Sequence, residues 1–103
     1  MLIVPVQPVP NQTFAILLAN QACQITLSTR LNGLFMDLVV GNVPVRNGVI
    51  CQDRNPILRF AYLGFIGDFW FIDSQGSSDP IYTGLGSRYL LEYLEAADVA
   101  LLP

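Results

Sequence analysis

The dipeptide Asn32-Gly33, set between two stretches of alternating residues, constrains the fold of this chain more than any other feature. Both residues tolerate the positive φ angles of a type I′ turn, so a two-residue hairpin is expected here. Residues 23–28 alternate apolar and polar side chains, which is the pattern of a strand with one buried face. The sequence therefore predicts an antiparallel strand pair closed by this turn.

The register of the hairpin follows if Leu31 and Leu34 flank the turn. Leu27 then faces Leu38 across the ladder, and the apolar side chains of both strands fall on one face. Agreement between the two strands supports the pairing, because a slip by one residue would send one apolar set to solvent.

Two more dipeptides, Gly41-Asn42 and Asn47-Gly48, have the composition of two-residue turns. They predict a meander of short antiparallel strands, at residues 34–40, 43–46 and 49–52. Pro44 cannot donate a ladder hydrogen bond, so its strand is expected at an edge or a bulge.

The two cysteines, Cys23 and Cys51, allow an internal disulfide, two disulfides to partners, or two free thiols. The predicted register sends Cys51 to the face opposite Cys23. An internal bridge would then require a bulge or a different pairing.

The second half of the chain is rich in aromatic residues. The density of aromatic residues over 57–73 predicts strands, with Gly67-Asp68 as a turn or kink between two of them. Residues 74–80 have the composition of a loop. The last segment, residues 88–102, fits either a helical stripe or a strand, and we favour a strand over 88–95 followed by a loose tail.

Together these patterns predict an all-β fold, namely a single small antiparallel β-sandwich or partly open barrel built from a meander of hairpins. The 103 residues fit one domain. We expect an extended N-terminal arm at residues 1–12, a single β domain at 13–95 and a C-terminal tail at 96–103.

The charge content argues for assembly rather than chemistry. Only 13% of the residues are charged and 52% are hydrophobic, whereas about 25% charged is usual. A chain this poor in charge is expected to give much of its surface to neighbours. Its net charge of −3, with no basic cluster, argues against nucleic-acid binding. No apolar run is long enough for membrane insertion.

Catalytic and metal sites are not expected. Without histidine or lysine, the usual bases that activate a nucleophile are missing, and no enzyme activity is predicted. Asp68 and Asp73 flank an apolar strand, but acids that end strands are usually turn formers with solvated side chains. Asp73 and Asp79 could supply oxygen ligands, yet no EF-hand spacing is present. We therefore predict neither a metal nor a cofactor.

Two further motifs admit functional interpretations. Gly84-Leu85-Gly86 beside Arg88 could cradle an anion, although a glycine turn that lets two backbones approach is the preferred interpretation. Trp70 and the aromatic residues near it could form a stacking platform. Aromatic residues alternating along strands are more often core, and outward apolar members then form an interface.

Several segments resemble a family of small phage tail proteins, the cyanophage-type baseplate plug proteins. They are residues 5–12 (PVQPVPNQ), residues 59–68 (RFAYLGFIGD) and residues 73–91, which contain DSQG and YTGLGSRYLL. The resemblance covers nearly the whole chain, and its second half is the most specific part.

The resemblance implies a non-enzymatic structural protein of the virion. It would lie in the central hub of a contractile-tail baseplate, between the end of the tail tube and the hub and spike proteins, in several copies around the tail axis. No catalytic residues come with the family. We predict interface positions at Val4, Pro5, Val6, Phe65, Trp70 and Arg88. The alternative is a small ligand- or carbohydrate-binding β module that uses the aromatic residues around Trp70.

Overall fold

The computed structural model describes residues 2–31, 33–58 and 66–95. They form two antiparallel sheets that pack around one core as a sandwich, which confirms the predicted all-β class. The strands are β1 Leu2–Val4, β2 Asn11–Leu18, β3 Gln21–Arg30, β4 Gly33–Val40, β5 Val43–Ile50, β6 Asp68–Asp73 and β7 Tyr89–Leu94. A 3-10 turn, Tyr82–Gly84, precedes β7.

The larger sheet has the strand order β2-β3-β4-β5, as expected for a meander. On its inner face, the alternate residues Ile25, Leu27, Met36 and Leu38 are fully buried. The side chains between them point away from the core, on the side of this sheet where the Thr13 and Thr26 hydroxyls are 3.1 Å apart. The alternation seen in residues 23–28 therefore reflects one buried face.

The β3–β4 register differs from the prediction by two residues. Arg30 pairs with Gly33, and Leu27 faces Met36 rather than Leu38. A shift of two residues leaves every side chain on the same face, so the hydrophobic pattern alone could not distinguish the two registers. The observed register places the fully exposed Leu31 in the turn itself, between the paired residues Arg30 and Gly33, so Gly33 begins β4 and is not the turn residue that the sequence predicted.

The predicted turn at Gly41-Asn42 is confirmed, because both residues have positive φ and Val40 pairs with Val43. The predicted turn at Asn47-Gly48 is wrong. There β5 continues along β4 through a bulge, in which Gly48 has φ of 63° and its N–H donates to an Asp37 carboxylate oxygen.

This continuation also changes the place of Cys51. Because β5 does not turn back at residues 47–48, the Cys51 N–H reaches the carbonyl of Leu34, and the Cys51 side chain joins the core that holds Cys23. The prediction that the two cysteines lie on opposite faces is wrong. Both are free thiols in the structure.

The smaller sheet has the order β1-β7-β6. Tyr89–Leu94 is a strand, so the strand interpretation of this ambiguous segment is confirmed. Within the predicted arm, Leu2–Val4 pairs with β7, and β2 already begins at Asn11. The division into arm, domain and tail stays a prediction, and the tail at 96–103 lies outside the described residues.

Candidate functional site

Asp73, the last residue of β6, forms the densest polar cluster of the described residues. Its carboxylate is buried and accepts two hydrogen bonds from Arg88, Nε to Oδ1 at 2.8 Å and Nη2 to Oδ2 at 2.9 Å. It also accepts the N–H groups of Gln75 and Ser78 at 2.9 and 2.8 Å. Chiefly because of the Arg88 hydrogen bond, the pKa of Asp73 lies well below its usual value.

Asp68, at the other end of β6, is also buried. One of its carboxylate oxygens accepts the N–H groups of Leu58 at 2.8 Å and Phe69 at 2.6 Å. The prediction that Asp68 and Asp73 have solvated side chains is therefore wrong, because both acids organise the backbone around β6. Five strand steps separate them by roughly 17 Å, well beyond the spacing of a hydrolytic carboxylate pair.

The Gly84-Leu85-Gly86 motif is a turn that allows a close backbone approach. A Cβ on Gly86 would lie 2.7 Å from the carbonyl oxygen of Val6, and one on Gly84 would lie 2.7 Å from the Tyr89 ring. The preferred interpretation of this motif is confirmed. Arg88 is held by Asp73, so its guanidinium is engaged in an ion pair beside the turn.

Among the residues that the structure describes, no group of three or more potential metal ligands lies together. The two oxygens of Asp73 already hold Arg88 and the 74–80 loop. In the same part of the chain, no helix is long and apolar enough to cross a membrane.

Most of the aromatic residues near Trp70 are core, as predicted. Phe69, Phe71, Tyr89 and Tyr93 are buried, and the rings of Phe69 and Tyr93 lie 5.5 Å apart. Trp70 alone of these five is half-buried, and its Nε1 donates to Glu92 at 2.9 Å. Among the aromatic residues of β6 and β7, Trp70 is therefore the one that faces outward, and these two strands do not form a row of exposed rings.

The outward surface of the smaller sheet is apolar. We call it the outer face and define it by Ile3, Trp70, Ile72, Leu90 and Glu92. Ile3, Glu92 and Trp70 stand opposite one another across the three strands, and Leu90 stands opposite Ile72. Ile3 is 61% exposed. Trp70, Ile72, Leu90 and Glu92 are half-buried, so the four apolar side chains around this carboxylate form a partly exposed patch of a composition suited to protein contact.

Next to the outer face, residues 5–10 connect the edge strand of the smaller sheet to the edge strand of the larger one. Pro5 is exposed and lines a groove of about 280 Å³, together with Gln7, Gln12, Phe14 and Ile16. The Gln12 side chain holds the backbone of Gln7 through two hydrogen bonds, of 3.1 and 2.7 Å. The groove is therefore framed by the start of the chain and by β2.

The predicted interface residues occupy different places. Val4 and Val6 are buried in the core of the chain itself, Pro5 is exposed, Trp70 lies on the outer face and Arg88 is paired with Asp73. Phe65 lies outside the described residues. Ile3, Ile72 and Leu90 were not singled out by sequence reasoning, although the apolar residues on both sides of residues 69–72 hinted at an outward apolar surface.

The buried thiols lead to a prediction about reactivity. Burial raises the pKa of Cys23, and it raises that of Cys51 to about 12, so few thiolates form at neutral pH. We expect both thiols of the folded protein to react slowly with a thiol-specific dye, and both to react at once in denaturant without reductant. Fewer than two thiols in the unfolded chain would contradict the free state.

The fold and these surfaces define a class of protein, a small two-sheet β-sandwich with a partly exposed apolar face on the smaller sheet. Residues 1–96 match the family model described as "Cyanophage baseplate Pam3 plug gp18". The chain belongs to this phage baseplate plug family, which places it in the tail baseplate of the virion. A search of curated proteins found no match.

Proposed function

We propose that the chain acts as a plug-like subunit of the central hub, joining the end of the tail tube to the hub and spike proteins by burying surface. The match to the plug family over residues 1–96 supports a structural baseplate role. The outer face is the observation that carries the more specific proposal, since a surface of this composition gains free energy when a partner removes it from water.

Contact through the outer face would be anchored by Trp70 and Ile3. Large aromatic side chains near the centre of an interface often carry much of its binding energy. Trp70 is pre-oriented by its hydrogen bond to Glu92, so little side-chain entropy remains to be lost on binding. Pro5 extends the same surface toward the groove.

The other predicted interface residues would act in different ways. Val4 and Val6 fix β1 and the following segment against the core, and so support Ile3 and Pro5 from below. The Arg88 side chain is 38% exposed, so its free edge could meet a neighbour while it holds Asp73. Phe65 remains a proposed contact on the sequence alone.

The proposed mechanism is mechanical and assigns no catalytic residue to the chain. Several copies would surround the tail axis and contact the tube, hub and spike proteins. The carboxylates of Asp68 and Asp73 both accept backbone N–H groups and so fix the segments around β6. This supports a rigid subunit that acts through its shape.

An Ile3→Asp variant tests this proposal. Ile3 is 61% exposed on an edge strand, so the free energy of unfolding should change by about 1 kcal/mol or less. The new carboxylate would nevertheless be buried when a partner covers the outer face, which is unfavourable for a charge. When the baseplate proteins are co-expressed and purified together, the amount of this chain recovered in the complex should fall at least tenfold.

The matched control is Val43→Asp. Val43 is also β-branched, is 62% exposed and starts the edge strand β5 of the other sheet. It should assemble like the wild type. Equal recovery of Ile3→Asp and wild-type protein would show that the outer face is not the contact surface.

A further inference from the structure

In the part of the chain that the structure describes, the two sheets have four edges, and these differ in how they are protected. On the outer side of β6, the N–H groups of Arg54 and Ile57 bond to the carbonyls of Phe71 and Phe69 at 2.8 and 2.9 Å. That edge is therefore covered by the chain itself. β1 has only three residues, which is too short to template a long ladder.

The edge of β5 is blocked by its sequence. It carries Pro44, which has no N–H, the charged residue Arg46 and the bulge at Gly48. Proline, charge and bulges are common features by which natural sheets avoid pairing at an edge.

The edge of β2 has none of these protections. Its eight residues, Asn11–Leu18, include no proline and no charged side chain, and they pair with β3 without any shift of register. Among the described residues, no strand lies along its other side. On its core-facing side Phe14 and Ile16 are only half-buried, next to the groove beside Pro5.

We propose that this edge pairs antiparallel with β2 of a second copy of the chain. β2 is complementary to itself about Ala15, because a two-fold axis there places Phe14 opposite Ile16 and Thr13 opposite Leu17 on matching faces. An aromatic residue opposite a β-branched one is a favourable cross-strand pair, and the smallest side chain of the segment lies on the axis.

The charges favour the same occupant. Each copy carries a net charge of −3, but β2 carries none, so two copies can meet along this edge without placing like charges opposite each other. Pairing joins the two four-stranded sheets into one of eight strands. It also covers the exposed sides of Phe14 and Ile16.

The dimer does not depend on the proposed hub contacts, because it uses β2 of the larger sheet and leaves the outer face free. The test therefore needs only the purified full-length chain. We expect sedimentation or light scattering to show a dimer that dissociates on dilution. Hydrogen exchange of the amides in residues 11–18 should slow as the protein concentration rises.

Ala15→Lys tests the geometry, since it sets two like charges against each other on the two-fold axis and should give a monomer. Gln24→Lys is the matched control. Gln24 is exposed and pairs with Ala15 on the same face, one strand in from the edge, so this variant should remain dimeric. Circular dichroism and the melting temperature establish that both variants fold.

Two results would overturn the proposal. One is a dimer that survives in Ala15→Lys as well as in Gln24→Lys, which would locate the contact elsewhere. The other is a wild-type monomer at the highest concentration whose residues 11–18 exchange at a rate independent of concentration. The second measurement needs no variant, so it decides the matter even if Ala15→Lys does not fold.

Discussion

Replacing Asp73 with asparagine is expected to lower the melting temperature by roughly 10 °C or more. The carboxylate is buried and accepts hydrogen bonds from Arg88, Gln75 and Ser78. An asparagine side chain has one oxygen in place of two, so the paired hydrogen bonds from Arg88 cannot both form. The 74–80 loop would lose the group that organises it.

The same variant should change how stability depends on pH. The folded-state pKa of Asp73 is depressed, chiefly by the hydrogen bond from Arg88 and also by the N–H groups of Ser78 and Gln75. Its contribution to stability is thus complete above the unfolded pKa of about 3.9 and is lost as the pH falls through the lower folded pKa. We would measure the free energy of unfolding in urea at several pH values below about 3.9. It should fall less steeply with decreasing pH for Asp73→Asn than for the wild type.

Asp79→Asn provides the control. Asp79 is exposed in the same loop and accepts one hydrogen bond, at 3.1 Å, from the N–H of Asp53. We expect a change in melting temperature of a few degrees at most, at about the level of other surface substitutions. If Asp79→Asn and Asp73→Asn had equal effects, the Arg88 pairing would not be the source of the stability.

Sequence patterns predicted much of the larger sheet because its strands and one of its turns are determined by residues that are close together in the sequence. Alternation in residues 23–28 and the two positive φ angles at Gly41-Asn42 depend on neighbours in the chain, and both were predicted correctly. Two other features depend on the partner strand. The two-residue shift that places Leu27 opposite Met36 keeps the same apolar side chains on the buried face, so the hydrophobic pattern does not reveal it. Asn47-Gly48 is compatible with a bulge as well as with a turn.

The site was harder to predict than the fold. Of the predicted interface residues, Pro5 is exposed and Trp70 is partly exposed, whereas Val4 and Val6 are buried. Which residues of a short edge strand are exposed depends on the sheet that the strand joins. β1 pairs with β7, which lies near the other end of the sequence. Such a long-range pairing has no local signal. For the same reason, Ile3 could not be recognised as part of an apolar face.

Gly86→Ala is expected to have the second large effect, about 2–4 kcal/mol of the free energy of unfolding. Gly86 has φ of 84°, a conformation that costs an L-residue about 1–2 kcal/mol. The added Cβ would also lie 2.7 Å from the carbonyl oxygen of Val6, so the segment after β1 or the 84–88 turn has to move. Chemical denaturation of both proteins measures the loss.

Gly41→Ala separates these two causes. Gly41 has φ of 57° at the β4–β5 turn, and a Cβ there would meet nothing within 4 Å, so only the conformational cost of about 1–2 kcal/mol applies. The excess loss in Gly86→Ala then measures how firmly the 84–88 turn holds the N-terminal segment. Since that segment carries Ile3 and Pro5, the variant should also weaken assembly through the outer face, whereas equal losses for the two variants would show that no such coupling exists.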